Sequence, residues 1–141
     1  MEEKNSVCDK IDIKSLTLEE VYGQMQEMGE KPFRARQLYE WMHGKLARDY
    51  GEMSNLPGSL IGKCQKRFDY TSLETVRVQE SKLDGTKKFL FRLSDDNLVE
   101  SVLMRYKHGN SVCISSQVGC RMGCSFCAST LDGCERNLSP S

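Results

Sequence analysis

With 141 residues, 38% of them hydrophobic and 28% charged, the chain can hold one full domain, or a small domain and part of another. Twenty basic residues balance twenty acidic ones, which excludes a protein whose whole surface is an electrostatic trap for nucleic acid. No stretch approaches the roughly 20 apolar residues of a membrane span, and the acidic, polar start has no apolar core of a secretory leader, so a cytoplasmic protein is expected.

Residues 1–13 read as a frayed terminus. Thr17 followed by Glu20 is a capping-box signature, and Leu18, Val21, Tyr22, Met25 and Met28 recur at helical spacing behind it. Gly29 supplies a left-handed stop. Pro32 suits the first turn of a second helix, where its missing amide hydrogen costs nothing. Ala35, Leu38, Trp41, Met42 and Leu46 mark the buried stripe of that helix. A third opens at Pro57, with Leu60, Ile61, Cys64 and Phe68 inward.

Near residue 72 the period changes to that of strands. Residues 73–78 and 87–93 alternate around Leu83-Asp84-Gly85, a hairpin signal. A turn at Asp95-Asp96-Asn97 leads into a strand over 98–106, which His108-Gly109-Asn110 breaks. Residues 111–118 read as one buried strand ending at Gly119. Between residues 63 and 92, eight Lys/Arg (Lys63, Lys66, Arg67, Arg77, Lys82, Lys87, Lys88, Arg92) face four acids (Asp69, Glu74, Glu80, Asp84). Such a run is more often a solvated face than a polyanion site.

Directly after Gly119 comes Cys120-Arg-Met-Gly-Cys124-Ser-Phe-Cys127. Three thiolates in a CxxxCxxC run can each bind one iron of a cubic iron–sulfur cluster and leave the fourth iron open, as a catalytic rather than a structural metal site requires. The alternative is zinc, with Cys134 or Cys113 as fourth thiolate. Zinc sites more often join two separated hooks, so the spacing favours the cluster. The odd count of seven cysteines also points to metal or redox work rather than disulfides.

The segment from Ser111 through Cys113 and the cysteine run to Thr130, followed by Arg136-Asn137-Leu138, closely resembles the RlmN-type radical S-adenosylmethionine methyltransferases. So do Lys87-Lys88-Phe89-Leu90-Phe91-Arg92-Leu93, Val99-Glu100-Ser101-Val102 and Lys31-Pro32-Phe33-Arg34-Ala35-Arg36-Gln37. The resemblance implies an α+β N-terminal part, a small helix-hairpin-helix-like helical domain plus a β-hairpin, followed by the start of a truncated α/β radical SAM partial barrel. It divides the chain into a helical, RNA-docking accessory domain (1–71), linker strands (72–106) and the incomplete beginning of the catalytic domain (107–141).

The implied activity is methylation of carbon 2 of an adenosine in 23S rRNA and in tRNA, with this chain inactive by itself. The implied cofactors are a 4Fe-4S cluster, held by Cys120, Cys124 and Cys127, and S-adenosyl-L-methionine. Phe126 would shield a cluster face, Cys113 would help resolve a covalent RNA adduct, and Glu100 would be the proton acceptor, its basicity raised by apolar neighbours. Implied partners are the two RNAs and an electron donor such as flavodoxin or ferredoxin, with no membrane, and the protein is expected to be a monomer. Two other readings compete: a Cfr-type carbon-8 methyltransferase, and a non-catalytic RNA-binding module with a four-cysteine zinc site. Cys8, Cys64 and Cys134 have no evident role. His43 and His108 read as surface or turn residues, and Trp41 as helical core.

Overall fold

The computed structural model describes residues 10–141, so Cys8 lies outside the described residues. The chain divides into two compact units. One runs through Thr71 and includes Pro140–Ser141, and the other is Ser72–Ser139.

In the first unit the strand β1 (Ile11–Asp12) pairs in parallel with β2 (Phe68–Asp69), and Ile13 is fully buried. The expected frayed terminus therefore does not extend through residues 10–13, because Ile13 has a core to enter. Helix α1 (Leu18–Glu27) starts with the reciprocal capping box of Thr17 and Glu20. It stops at Gly29, whose φ is +71°, while the Glu30 amide returns to the Met25 carbonyl at 2.9 Å. Helix α2 (Pro32–Tyr39) has Pro32 in its first turn, and α3 (Gly58–Arg67) follows Pro57.

Helix α2 does not continue as α-helix. Residues Glu40–Gly44 form a π-helical turn, with the Lys45 amide reaching the Glu40 carbonyl at 2.8 Å. The wider turn shifts the helical phase by about one residue. Leu46, expected in the buried stripe, is therefore 73% exposed, and Ala47 takes the inner place at 2%. Leu46 also has a left-handed φ of +57°, a conformation costing about 1–2 kcal/mol in a residue with a side chain.

The core of this unit joins Ile13, Val21, Met25, Leu38, Met53, Leu60, Cys64 and Phe68, with Trp41 and Ile61 packed at its margin. Burying each large apolar side chain contributes about 1.5–3 kcal/mol. Tyr50 is 6% exposed, and its hydroxyl finds no hydrogen-bond partner among the described residues. Burial pushes its pKa up. Tyr70 beside it, at a ring separation of 4.9 Å, instead donates to the Ala47 carbonyl at 2.7 Å. An unsatisfied buried hydroxyl costs about 1–3 kcal/mol. Tyr50→Phe is thus expected to leave stability unchanged or to raise it by up to about 1–2 kcal/mol in urea unfolding. A loss above 1 kcal/mol on the same order-of-magnitude scale would refute this account of the hydroxyl.

The second unit holds an antiparallel meander of β3 (Glu74–Glu80), β4 (Lys87–Arg92), β5 (Leu98–Tyr106) and β6 (Gly109–Ile114), in that order. Gly85, at φ +68°, lies in the β3–β4 connection, as its place in the hairpin signal suggests. The single buried strand expected over 111–118 is two pieces. Strand β6 lies at the sheet edge and is mostly exposed, and after Ser115 and Ser116 a short β7 (Gln117–Gly119) pairs antiparallel with β8 (Cys134–Asn137). Val118 alone of β7 is buried, at 8%. The apolar residues Val112 and Ile114 gave the run its buried look, yet they are 62% and 73% exposed.

Candidate metal centre

The cysteine run is the connection between β7 and β8, and two glycines close it. Gly119 has φ +74°, and a Cβ placed there would lie 2.0 Å from the Gly133 carbonyl oxygen. Gly133 is itself left-handed, at φ +73°. With no side chain in the way, the Cys120 amide donates to that same carbonyl at 2.8 Å, and the Leu138 amide donates to Ser116 O at 2.9 Å. Inside the loop the Cys127 amide bonds Cys124 O at 3.1 Å. The Thr130 hydroxyl meets the carbonyls of Cys124 at 3.2 Å and Cys127 at 2.8 Å. Thr130 was not singled out from sequence; its signal was a hydroxyl three residues after the last cysteine, the spacing of a local side-chain-to-backbone bond.

Strand β8 is held in turn by the turn between β4 and β5. Arg136 Nε donates to Asp95 Oδ2 at 2.6 Å, and Asn97 Nδ2 donates to Glu135 Oε1 at 2.9 Å. The Arg136 hydrogen bond holds the Asp95 carboxyl at about 2, so the pair stays charged at neutral pH.

Cys120, Cys124, Cys127 and Cys134 are free, partly exposed thiols. Among the described residues no three Cys, His, Asp or Glu side chains converge as a metal-holding group. The thiols of Cys120, Cys124 and Cys127 thus share one loop without being drawn to one point. The donor chemistry still fits a cluster, since three unbridged thiols lie within eight consecutive residues on a loop fixed at its two ends. Phe126, beside Cys127, is 90% exposed.

Glu100 and Cys113 lie on the meander. Glu100 sits opposite Leu90, Lys88 opposite Val102, and Val102 opposite Cys113. Residues directly paired or two apart share a sheet face, so Glu100, Lys88 and Cys113 face the same way. The expected burial of Glu100 is not found. Its side chain is 53% exposed and pairs with Lys88 Nζ at 2.7 Å, because Val99 takes the buried side of the alternation at 8% exposure. Arg77, Gln79, Lys88, Leu90 and Glu100 line a shallow depression of about 230 Å³ there. Cys113 is exposed, not a buried filler.

The remaining candidates fall outside both places. His43 is exposed beside Tyr39, at a ring separation of 4.4 Å, and His108 is exposed beside Tyr106 at 5.1 Å. Cys64 is 1% exposed, and its thiol is pushed up to about 11 by burial, with the Glu30 charge adding and Lys63 opposing. Only the thiolate reacts. Iodoacetamide at pH 8 should therefore label Cys113 at least about a hundredfold faster than Cys64, as peptide mapping of partly labelled native protein would show. Comparable rates would mean that the helical core opens freely.

The eight-cation run between residues 63 and 92 is largely neutralised. Lys63, Arg67, Lys87, Lys88 and Arg92 pair with Glu30, Glu27, Glu80, Glu100 and Glu74. In each unit these cations lie on solvated surface and are held in ion pairs.

Residues 11–68 match the family model described as the ribosomal RNA large subunit methyltransferase N-terminal domain. The chain is 59% identical over 136 residues to a probable dual-specificity RNA methyltransferase RlmN of Lachnoclostridium phytofermentans, covering 96% of this chain and 38% of that protein. It is 64% identical over 130 residues to the protein of the same description from Lachnospira eligens, covering 92% and 37%. A crystal structure of a radical SAM methyltransferase from Sphaerobacter thermophilus superposes with a TM-score of 0.83 at 41% identity, over 91% of this chain and 38% of that one. The chain thus spans well under half the length of these relatives, and its mixed helix-and-sheet architecture is part of a larger fold of that kind. Residues 11–68 are thus an RlmN N-terminal family domain, and the chain as a whole is similar to RlmN-type methyltransferases over part of their length.

Proposed function

We propose that this chain is part of a radical S-adenosylmethionine methyltransferase that methylates carbon 2 of an adenosine in 23S rRNA and in tRNA. The observation that carries the reading is the CxxxCxxC loop, its three free thiols held on a strand connection closed by Gly119 against Gly133. Cys120, Cys124 and Cys127 would hold a 4Fe-4S cluster. When bound, the cluster and S-adenosylmethionine supply one-electron chemistry suited to an aromatic C–H carbon, which is neither acidic nor nucleophilic. Phe126 would limit solvent at the loop.

Glu100 accepts a proton from the base, and Cys113 helps release an enzyme–RNA adduct. Support for this pairing is their shared sheet face, with Lys88 holding the Glu100 carboxylate at 2.7 Å. Residues 1–71 serve as the RNA-docking domain, 72–106 as linker strands, and 107–141 as the beginning of the catalytic domain. Electrons come from a small donor such as flavodoxin or ferredoxin, and the protein works as a cytoplasmic monomer.

Nucleoside mass spectrometry on cells lacking the gene tests the reading. Loss of 2-methyladenosine from both rRNA and tRNA is the expected result. Loss of 8-methyladenosine instead would assign the Cfr-type reaction, and unchanged levels of both would refute the proposal.

A further inference from the structure

The cysteine loop is fastened unevenly along its length. Its second half is a hydrogen-bonded turn, in which the Cys127 amide donates to Cys124 O at 3.1 Å and the Thr130 amide to Cys127 O at 3.3 Å. The part-buried Thr130 hydroxyl reaches the same two carbonyls, Cys127 O at 2.8 Å and Cys124 O at 3.2 Å. Its single hydrogen favours the shorter contact and can be shared with the other. The first half has no such fastening. Among the described residues no hydrogen bond reaches the carbonyls of Arg121, Met122 or Gly123, and the Met122 amide meets only the Cys120 sulfur, at 3.5 Å. Gly123 is left-handed, at φ +66°, with open space where a side chain would stand.

Thr130 also ties this turn to the closing strand. The Gly133 amide donates to Thr130 O at 3.3 Å, and Gly133 O receives the Cys120 amide at 2.8 Å. Hydrogen bonds therefore run from Cys124 and Cys127 through Thr130 and Gly133 to Cys120, and the hydroxyl is the side-chain link among them. The peptide group is planar, so fixing the direction of a carbonyl fixes ψ of its residue. One hydroxyl thus sets the backbone of two of the three thiol-bearing residues.

We infer that Thr130 is a positioning residue for the metal centre: its hydroxyl holds Cys124 and Cys127 as a preformed pair, and Cys120 joins them by rotation at Gly123. The inference rests on the iron–sulfur reading and deepens it. Thr130 is not itself a ligand; the donors remain the three thiolates. Ordering two of them before metal arrives lowers the entropic cost of binding. The same hydrogen bonds oppose the loop's opening when iron leaves.

The test compares Thr130→Val, which keeps the branched shape without the hydroxyl, with Thr130→Ser, which keeps the hydroxyl. Neither strands a carbonyl, because the Cys127 and Thr130 amides still serve Cys124 O and Cys127 O. In the 141-residue chain, hydrogen exchange at the Cys127 amide should be about five- to tenfold faster in Thr130→Val. Thr130→Ser should stay within about twofold of the parent. The Leu138 amide, bonded to Ser116 O, should exchange as in the parent in both variants. After anaerobic iron–sulfide reconstitution, iron loss to excess chelator should also be about five- to tenfold faster in Thr130→Val, and Thr130→Ser should restore it. Parental exchange and iron loss in Thr130→Val, or no restoration by Thr130→Ser, would overturn the inference. Equal loss of protection at Leu138 would overturn it too, since Thr130 would then only support the strand pairing. A parent chain that takes up no iron would refute the cluster reading instead. Exchange at Cys127 then decides the positioning role alone: acceleration confined to Thr130→Val upholds it, and parental exchange overturns it.

Discussion

Gly119→Ala is expected to dismantle the cysteine loop while the helical unit stays folded. At φ +74° a residue with a Cβ costs about 1–2 kcal/mol before any contact is considered. The new methyl would also lie 2.0 Å from the Gly133 carbonyl oxygen and 3.1 Å from its carbon. Both are backbone atoms, so no rotamer change relieves the overlap. The β7–β8 pairing should lose at least about 2–4 kcal/mol. Hydrogen exchange reads this directly. The Cys120 and Leu138 amides, bonded to Gly133 and Ser116 in the parent, should lose protection, and amides of α1 should keep theirs. Unchanged protection at Cys120 would show that the loop does not depend on this close approach.

Leu38→Ala should have an equally large effect in the other unit. Leu38 is fully buried in the core shared with Met25, Met53 and Leu60. Truncating such a residue typically costs about 2–5 kcal/mol, and a domain of this size has little more than that to lose. Thermal unfolding followed by far-UV circular dichroism should show a sharply lowered midpoint or no cooperative transition. Leu46→Ala, at a position 73% exposed, should fall within about 0.5 kcal/mol of the parent. Equal effects of the two would contradict the phase shift at Glu40–Gly44.

These two leucines show what was legible in the sequence. Capping residues, Gly29, Pro32 and the 3.6-residue period located the helices because those signals are local. The π-helical turn was not legible: Glu-Trp-Met-His-Gly has ordinary helical composition, and only tertiary packing rewards Ala47 over Leu46 as the inner residue. The meander was legible through Leu83-Asp84-Gly85 and the alternation of β5. The edge strand was misread as buried because periodicity does not report what covers a face.

At the site, the cysteine spacing pointed to the loop. Its closure by Gly119 and Gly133 depends on a contact between residues fourteen apart, which a linear reading does not reveal. Glu100 looked buried for the same reason as Val112. The adjacent Val99 takes the other, buried face, and Lys88, which pairs with the carboxylate, comes from a different strand.

The central claim is that Cys120, Cys124 and Cys127 form an iron–sulfur site. Anaerobic iron–sulfide reconstitution of the chain, followed by metal analysis and electron paramagnetic resonance on reduction, tests it most directly. The account predicts about four irons per chain and a reduced-cluster signal, both lost when the three cysteines are replaced by Ser. Stoichiometric zinc with no iron, unchanged in that variant, would contradict it.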